Sequence, residues 1–277
     1  MPELPEVETV RRTLEPIINK KQIEDVIIHY PGIIKEPQDS EAFKQQVIGQ
    51  TFRNIDRLGK FLMFNLDDYT LVSHLRMEGK YGVFDQGEPL DLHTHIIFVL
   101  NDGKELRYRD VRKFGTMHLK TPKELLHTAP LNKLGVEPFS EEFTPEHLYK
   151  RLQKTSRKVK PALLDQAIVT GLGNIYVDEV LYWSQIHPER IAHTITFEES
   201  KQLRFYTIKV LQDAIDKGGS SIRSYLNSLG EVGMFQLQIS VYGKEGEACK
   251  NCSTEIVKIK VGGRGTHFCP NCQPLTK

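Results

Sequence analysis

His95-Ile96-Ile97-Phe98-Val99-Leu100-Asn101-Asp102-Gly103-Lys104-Glu105-Leu106-Arg107-Tyr108-Arg109 decides the fold of the first half of the chain. Two strand-like runs flank Asn101-Asp102-Gly103, a turn composition that returns one strand antiparallel to the next. Similar runs precede this hairpin: Ile23–Ile28, 51–57, 61–66, Thr70–His74 and 81–84. Together they predict an antiparallel β-sandwich. One helix interrupts them, with Ser40 as its cap, Phe43 and Val47 on its buried face and Gly49 as its stop. Ahead of the strands, Val7, Val10, Leu14 and Ile17 recur at helical spacing with Arg11 and Arg12 turned away, which predicts a helix from about residue 5 to 18.

Past residue 120 the pattern turns helical. Thr121-Pro122 and Thr144-Pro145 each pair a capping residue with proline at the first helical position. Residues 160–167, 174–185 and 196–217 read as further helices, and Gly218-Gly219-Ser220-Ser221 opens a glycine- and serine-rich stretch that reads as a mobile loop. The expected organisation is α+β with two domains: a sandwich over 1–130 with flanking helices, a helical domain over 131–235 containing the loop 218–233, and an appended zinc-binding hairpin over 236–277.

The bulk properties exclude several classes. A chain of 277 residues with 39% hydrophobic content builds real cores. The start is acidic and lacks an apolar run, and no stretch reaches membrane-spanning length, so the expectation is a cytoplasmic protein without a membrane partner. A net charge of +1 excludes a histone-like polycation. Any nucleic-acid grip must therefore be local; the basic run Lys150, Arg151, Lys154, Arg157, Lys158 and Lys160 is one such patch, although a charge run of this kind is usually only a solvated helix face.

All four cysteines fall in the last 29 residues, as Cys249-Lys-Asn-Cys252 and Cys269-Pro-Asn-Cys272 with sixteen residues between the pairs. Two such knuckles suit one tetrahedral zinc ion in a closed, structural site, and in a cytosolic chain they point to metal over disulfides. A hairpin between them would carry Arg264 on the tip Gly262-Gly263-Arg264-Gly265, placed for a phosphate or simply for solvent. Thr170-Gly171-Leu172-Gly173-Asn174 joins two helices, with Asn174 at an N-terminus able to meet phosphate, although glycine-linked helix pairs are common. Leu75-Arg76-Met77-Glu78-Gly79 and Asp110-Val111-Arg112-Lys113-Phe114-Gly115 lie at strand ends. Each sets an apolar side chain beside arginine, a mixture that wedges base steps, while Met77 and Phe114 read singly fit core residues better. His93 and His95 share a strand face without a third ligand, which favours polar surface or phosphate contact over metal.

Met1-Pro2-Glu3-Leu4-Pro5-Glu6 is the remaining unusual stretch. With Met1 removed, Pro2 becomes a secondary terminal amine, partly neutral near pH 7, whose attack on a sugar C1′ gives a cationic iminium. Glu3 would be within reach as a proton donor, with Glu6 behind it. The bland alternative is that Pro2 only permits Met1 removal and that Pro5 starts a helix.

Together these motifs, with Gly59-Lys60-Phe61, Gly173-Asn174-Ile175-Tyr176 and Gly263-Arg264-Gly265-Thr266, resemble the formamidopyrimidine-DNA glycosylase family over nearly the whole chain. The resemblance implies a bifunctional DNA glycosylase and AP lyase that excises oxidised purines from duplex DNA, using proline Schiff-base chemistry with β- and δ-elimination. It implies Pro2 as nucleophile, Glu3 as acid/base and Glu6 as supporting carboxylate, with Lys60 on the phosphate next to the lesion. Met77, Arg112 and Phe114 would fill the gap left by the flipped base, with Arg112 facing the orphan cytosine. Asn174 and Arg264 would clamp phosphates, with His93 a further DNA contact, and Glu78, Ser220 and Ser221 would border the base pocket. Damaged double-stranded DNA is the implied partner of a monomeric chain carrying one structural zinc, associated with the nucleoid through DNA. Two alternatives stand beside this: an endonuclease VIII-like enzyme for oxidised pyrimidines, and a non-catalytic zinc-ribbon protein that binds damaged DNA.

Overall fold

The computed structural model describes residues 1–220 and 233–275, which form two compact units. The first comprises residues 1–132 with 217–220 and 233–234, and the second comprises 133–216 with 235–275. The segment 217–220, read from sequence order as the end of the helical domain, thus groups with the sandwich. Its physical link is Ser220, whose backbone N–H donates to Glu6 Oε1 at 2.8 Å.

In the first unit, helix α1 (Leu4–Ile18) buries Val7, Val10, Leu14 and Ile18; Ile17 is only partly covered. Strands β1 (Ile23–Ile28), β2 (Ile34–Glu36), β3 (Asn54–Leu58), β4 (Phe61–Asn65), β5 (Thr70–His74), β6 (Lys80–Asp85), β7 (Thr94–Leu100), β8 (Lys104–Arg109) and β9 (Thr116–Lys120) follow, with α2 (Ser40–Val47) between β2 and β3. They build a four-stranded sheet in the order β1-β7-β8-β6 and a five-stranded sheet in the order β2-β9-β5-β4-β3. All pairings are antiparallel except the short parallel contact of β2 with β9. The expected hairpin is β7–β8, with Gly103 at φ +81°, a left-handed turn position that favours glycine. β9 and β2 are not among the expected strands: Ile34–Glu36 is only three residues long and stops at Pro37, and Thr116–Lys120 follows directly on the Asp110–Gly115 loop motif with only two apolar residues, Met117 and Leu119. α2 is capped by Asp39, whose carboxylate accepts the Glu41 N–H at 2.9 Å, and not by Ser40.

A single core fills the sandwich. Edge-to-face rings step across it from Phe98 to Phe52 (6.2 Å), Phe64 (5.9 Å), Tyr81 (5.1 Å) and Tyr108 (5.1 Å), spanning both sheets. Each such pair adds about 0.5–1.5 kcal/mol beyond burial of its area, so this ladder fixes how the sheets face each other.

The second unit holds α3 (Pro145–Gln153), α4 (Val159–Leu163), α5 (Asn174–Trp183), α6 (Phe197–Asp216) and the hairpin β10 (Val257–Val261) with β11 (Arg264–Phe268). Thr144 caps α3 as expected, its hydroxyl accepting the His147 N–H at 3.1 Å. Residues 121–130 form turns instead of a helix, closed by Thr121 bonding to the Glu124 carboxylate. α4 stops short of the expected 160–167 because the Asp165 side chain accepts the Ala167 N–H at 3.0 Å, a local bond that competes with helix continuation. Among the described residues no helix is long and apolar enough to cross a membrane.

Candidate active site

α1 begins at the residues of chemical interest. Pro2, Glu3 and Glu6 are buried, while Met1 is 44% exposed. The Glu3 backbone N–H donates to Glu6 Oε2 at 2.8 Å, and Glu6 Oε1 accepts from both the N–H (2.8 Å) and the hydroxyl (3.3 Å) of Ser220. One carboxylate thus spans the start of α1 and the edge of the segment that follows Gly218. Ser221 lies outside the described residues.

Lys60 lies in the tight turn between β3 and β4, next to Gly59 at φ +58°. Its turn is tied to α1 through Arg57, which donates to the Gly59 carbonyl (3.0 Å) and to Glu8 Oε2 (3.2 Å). Glu8 also receives Arg11 and Arg12 at 2.8–3.1 Å. Burial alone would raise its carboxyl, but the Arg11 and Arg12 hydrogen bonds and the Arg11 and Arg57 charges outweigh that and hold it at about 2. Glu8, Arg57 and His74 have no role among the sequence-based expectations; the available signal is the Glu8 spacing to Arg11 and Arg12, three and four residues on one helix face. His74 is buried at the end of β5, edge-on to Phe61 at 4.6 Å, and its Nδ1 accepts the Arg76 N–H at 2.9 Å. Burial, with the charges of Arg76 and Lys60, lowers its pKa to about 3.

The two arginine-bearing loops are neighbours by topology. β5 pairs with β9 in one sheet and β6 with β8 in the other, so the connections β5→β6 (residues 75–79) and β8→β9 (residues 110–115) cross between the sheets side by side. Met77 (37% exposed) and Phe114 (51% exposed) stand outside the core, and Arg112 lies over the Phe114 ring at 4.6 Å. Glu78 is exposed on the first loop. A depression of about 470 Å³ is lined by Met1, Lys35, Arg76, Met77, Lys113 and Phe114, bringing the neighbour of Pro2, both apolar tips and three cations together. His95 is buried with Nε2 2.8 Å from the Asp110 carbonyl, whereas His93 is half-buried, so the two imidazoles do different work.

In the second unit, Asn174 opens α5 and its Nδ2 donates to the Gly265 carbonyl at 3.0 Å. Arg264 is exposed as the first residue of β11, paired with Val261, so the turn itself is Gly262-Gly263. Lys160 is fully buried, 2.7 Å from Asp178 and 2.8 Å from the Thr266 hydroxyl. Much of the basic run is therefore spent internally: Arg157 pairs with Asp165, Lys158 with Glu189, and Arg151 donates to the Ala167 carbonyl.

Cys249, Cys252, Cys269 and Cys272 are the only group of three or more metal-ligating side chains brought together among the described residues. Sulfur separations of 3.5–3.9 Å match the roughly 3.8 Å between sulfurs that each lie about 2.3 Å from a tetrahedral zinc. Tyr182 reaches Cys249 Sγ at 3.3 Å, and the backbone N–H of Asn251 and of Cys272 points at Cys249 and Cys269 sulfur at 3.4 Å, donors suited to thiolates.

Comparison with known proteins gives the same picture from a separate direction. Family descriptions match in chain order: the formamidopyrimidine-DNA glycosylase N-terminal domain over residues 1–117, the H2TH domain of the same glycosylase over 134–225, and a zinc finger found in FPG and IleRS over 246–275. The formamidopyrimidine-DNA glycosylase of Bacillus anthracis is 56% identical over 274 residues, covering 99% of both chains. That of Halalkalibacterium halodurans is 57% identical over 273 residues, covering 99% of this chain and all of the other. Among solved structures, wild-type Lactococcus lactis Fpg in complex with an N7-benzyl-Fapy-dG containing DNA superposes with a TM-score of 0.92 at 45% identity, covering 99% of this chain and 100% of that one. A complex of the same Fpg with abasic site containing DNA also gives 0.92 at 45% identity, covering 98% and 99%. A β-sandwich opened by a buried Pro-Glu pair, followed by a helical unit and a four-cysteine zinc finger, defines a zinc-finger DNA glycosylase. The chain belongs to the formamidopyrimidine-DNA glycosylase family. Its function is that of a DNA glycosylase for oxidised purines, with the lyase activity characteristic of the family, and its four cysteines form the zinc site.

Proposed function

We propose that the reaction runs at the start of α1, with Pro2 as nucleophile once Met1 has been removed. The observation that carries this reading is the clustering of a buried Pro2, Glu3 and Glu6 behind an exposed Met1 that lines the same depression as Met77 and Phe114. A base inside a duplex is out of reach of a terminal amine, so the damaged nucleotide must be flipped out at a cost of a few kcal/mol. Met77, Arg112 and Phe114 fill the vacated space, and Lys60, His93, Asn174 and Arg264 hold backbone phosphates. Glu78, Ser220 and Ser221 border the extruded base.

The Pro2 nitrogen then forms a bond to C1′ as the bond from C1′ to the base breaks, and the proton shed by the amine goes to the departing base. Glu3 gives its proton to O4′ as the sugar ring opens, leaving a cationic iminium at C1′. Loss of a C2′ proton expels the 3′-phosphate, and a second elimination expels the 5′-phosphate, leaving a gap with phosphate ends. Cys249, Cys252, Cys269 and Cys272 would hold zinc as four thiolates, a set that would supply structural support to the hairpin carrying Arg264; none of the steps above calls on it. The enzyme works as a cytoplasmic monomer that finds damaged duplex DNA. Sedimentation of the free protein at the mass of a dimer would contradict that state.

Borohydride trapping tests the chemistry. Mature protein on a duplex with one oxidised purine is expected to yield a covalent protein–DNA adduct whose attachment maps to Pro2. Pro2→Gly, which keeps a terminal amine but makes it primary, is expected to turn over far more slowly, and wild-type turnover by that variant would remove Pro2 from the role.

A further inference from the structure

Tyr108 is fully buried at the end of β8, its ring rooted in the aromatic ladder at 5.1 Å from Tyr81. Its hydroxyl reaches the point where the two crossing loops meet. A side-chain carbon at Gly79 would lie 2.4 Å from the Tyr108 oxygen, and one at Gly115 only 1.7 Å from it. The hydroxyl therefore packs against the backbone of both loops at once.

Asp110, 1% exposed, completes the contact. Its Oδ2 accepts from the Tyr108 hydroxyl (3.3 Å) and the Gly115 N–H (2.8 Å), and its Oδ1 accepts the Arg112 N–H (3.0 Å). The Asp110 carbonyl faces His95 Nε2 at 2.8 Å and accepts the Lys113 N–H at 3.3 Å. Arg76 and Lys113 hold left-handed φ values of +53° and +58° at the loop tips. Such a conformation is strained for a residue other than glycine and persists where the surroundings over-determine it. Burial and the Asp110 charge raise the Tyr108 pKa well above its ordinary value, so the hydroxyl remains a donor.

We propose that the Tyr108 hydroxyl and the Asp110 carboxylate form a shared anchor that couples loop 75–79 to loop 110–115, so that Met77 enters DNA together with Arg112 and Phe114 as one preformed wedge. This rests on the wedge reading given above. Tyr108 and Asp110 are positioning residues: they touch no DNA and act through the loops they hold. A tyrosine that merely filled the core would need no hydroxyl against two glycines, nor a buried carboxylate bridging it to the neighbouring backbone.

The test compares two substrates under single-turnover conditions: a duplex with one oxidised purine, which requires wedging, and single-stranded DNA with a preformed abasic site, which requires only the terminal amine. Tyr108→Phe is expected to slow duplex excision by roughly tenfold, the equivalent of one lost buried hydrogen bond, while single-strand cleavage stays within about twofold. Fluorescence of 2-aminopurine next to the lesion should show the matching delay in wedge entry. If Met77→Ala and Phe114→Ala fail to slow duplex excision, the wedge reading falls and the anchor with it. If those variants slow excision but Tyr108→Phe does not, the anchor is wrong and the wedge stands. Equal slowing on both substrates by Tyr108→Phe also overturns the anchor, because the residue would then act through the general fold. Should Tyr108→Phe not fold, Asp110→Asn carries the same comparison, since its amide cannot accept all the donors its carboxylate now takes.

Discussion

Glu6 shows how much depends on which atoms of one side chain accept. Both of its oxygens receive N–H donors, one from Glu3 and one from Ser220. Glu6→Gln keeps the shape but turns one oxygen into a donor facing a donor. Loss of a bond to a buried charged group costs about 1–3 kcal/mol, so the variant is expected to melt lower and to excise more slowly. Circular dichroism melts and single-turnover assays check both, and a variant indistinguishable from wild type would deny Glu6 its bridging role. His74 and Glu8 set the acid response of the same unit. A histidine held near 3 by burial stays neutral in the fold while the unfolded chain takes up a proton below about 6.5. Its stabilisation is complete above 6.5 and is lost as pH falls toward 3, amounting to roughly 2–3 kcal/mol by pH 4.5. His118, also lowered by burial and by the Lys120 charge, acts in the same direction. Glu8, held at about 2, adds a second loss between its ordinary 4.5 and 2. Denaturant midpoints measured from pH 7 to 4.5 should fall for the wild type and fall less steeply for His74→Gln.

At the level of elements, the turn between β3 and β4 is aimed by a helix it never joins. Arg57 spans Glu8 on α1 and the Gly59 carbonyl. Arg57→Met leaves Glu8 with Arg11 and Arg12, so the cost is expected at about 1–2 kcal/mol, below the 3–5 typical of a buried charge left without any partner. The turn carrying Lys60 would loosen, and excision should weaken more at high salt than at low salt, read from kcat/KM across a salt series; no change in the salt dependence would separate Lys60 from Arg57. This tier was only partly legible in the chain. The strands of the sandwich follow from alternation and from Asn101-Asp102-Gly103, and the α3 cap from Thr144-Pro145. The Arg57–Glu8 tie joins residues 49 positions apart, which no local pattern encodes. The fate of the basic run is equally tertiary, since Lys160 reads as a surface lysine until Asp178 is folded against it.

For the whole molecule, zinc concerns one unit and not the other. The cysteines pack with Tyr182, Val241 and Ile256, separate from the core of the sandwich. Chelation is expected to lower DNA affinity and open the hairpin that carries Arg264 while the sandwich keeps its cooperative melt. Calorimetry and binding of metal-free protein check this, and unchanged affinity would exclude a zinc-dependent clamp. The cysteine knuckles were fully readable from spacing, because metal geometry demands it. The bridge between Glu6 and Ser220 was not, since it joins residues 214 positions apart.

The side-by-side crossing of loops 75–79 and 110–115 also constrains what redesign of this scaffold can do. Their lengths are locked to each other: paired strands fix both ends, and one buried oxygen sits where extra backbone would have to go. Inserting a residue into either loop would displace its neighbour as well. Under the wedge role proposed above, new selectivity for the base opposite a lesion is therefore expected from side-chain replacement at the exposed tips, Met77, Arg112 and Phe114, and not from the loop grafting that works in scaffolds whose binding loops are independent.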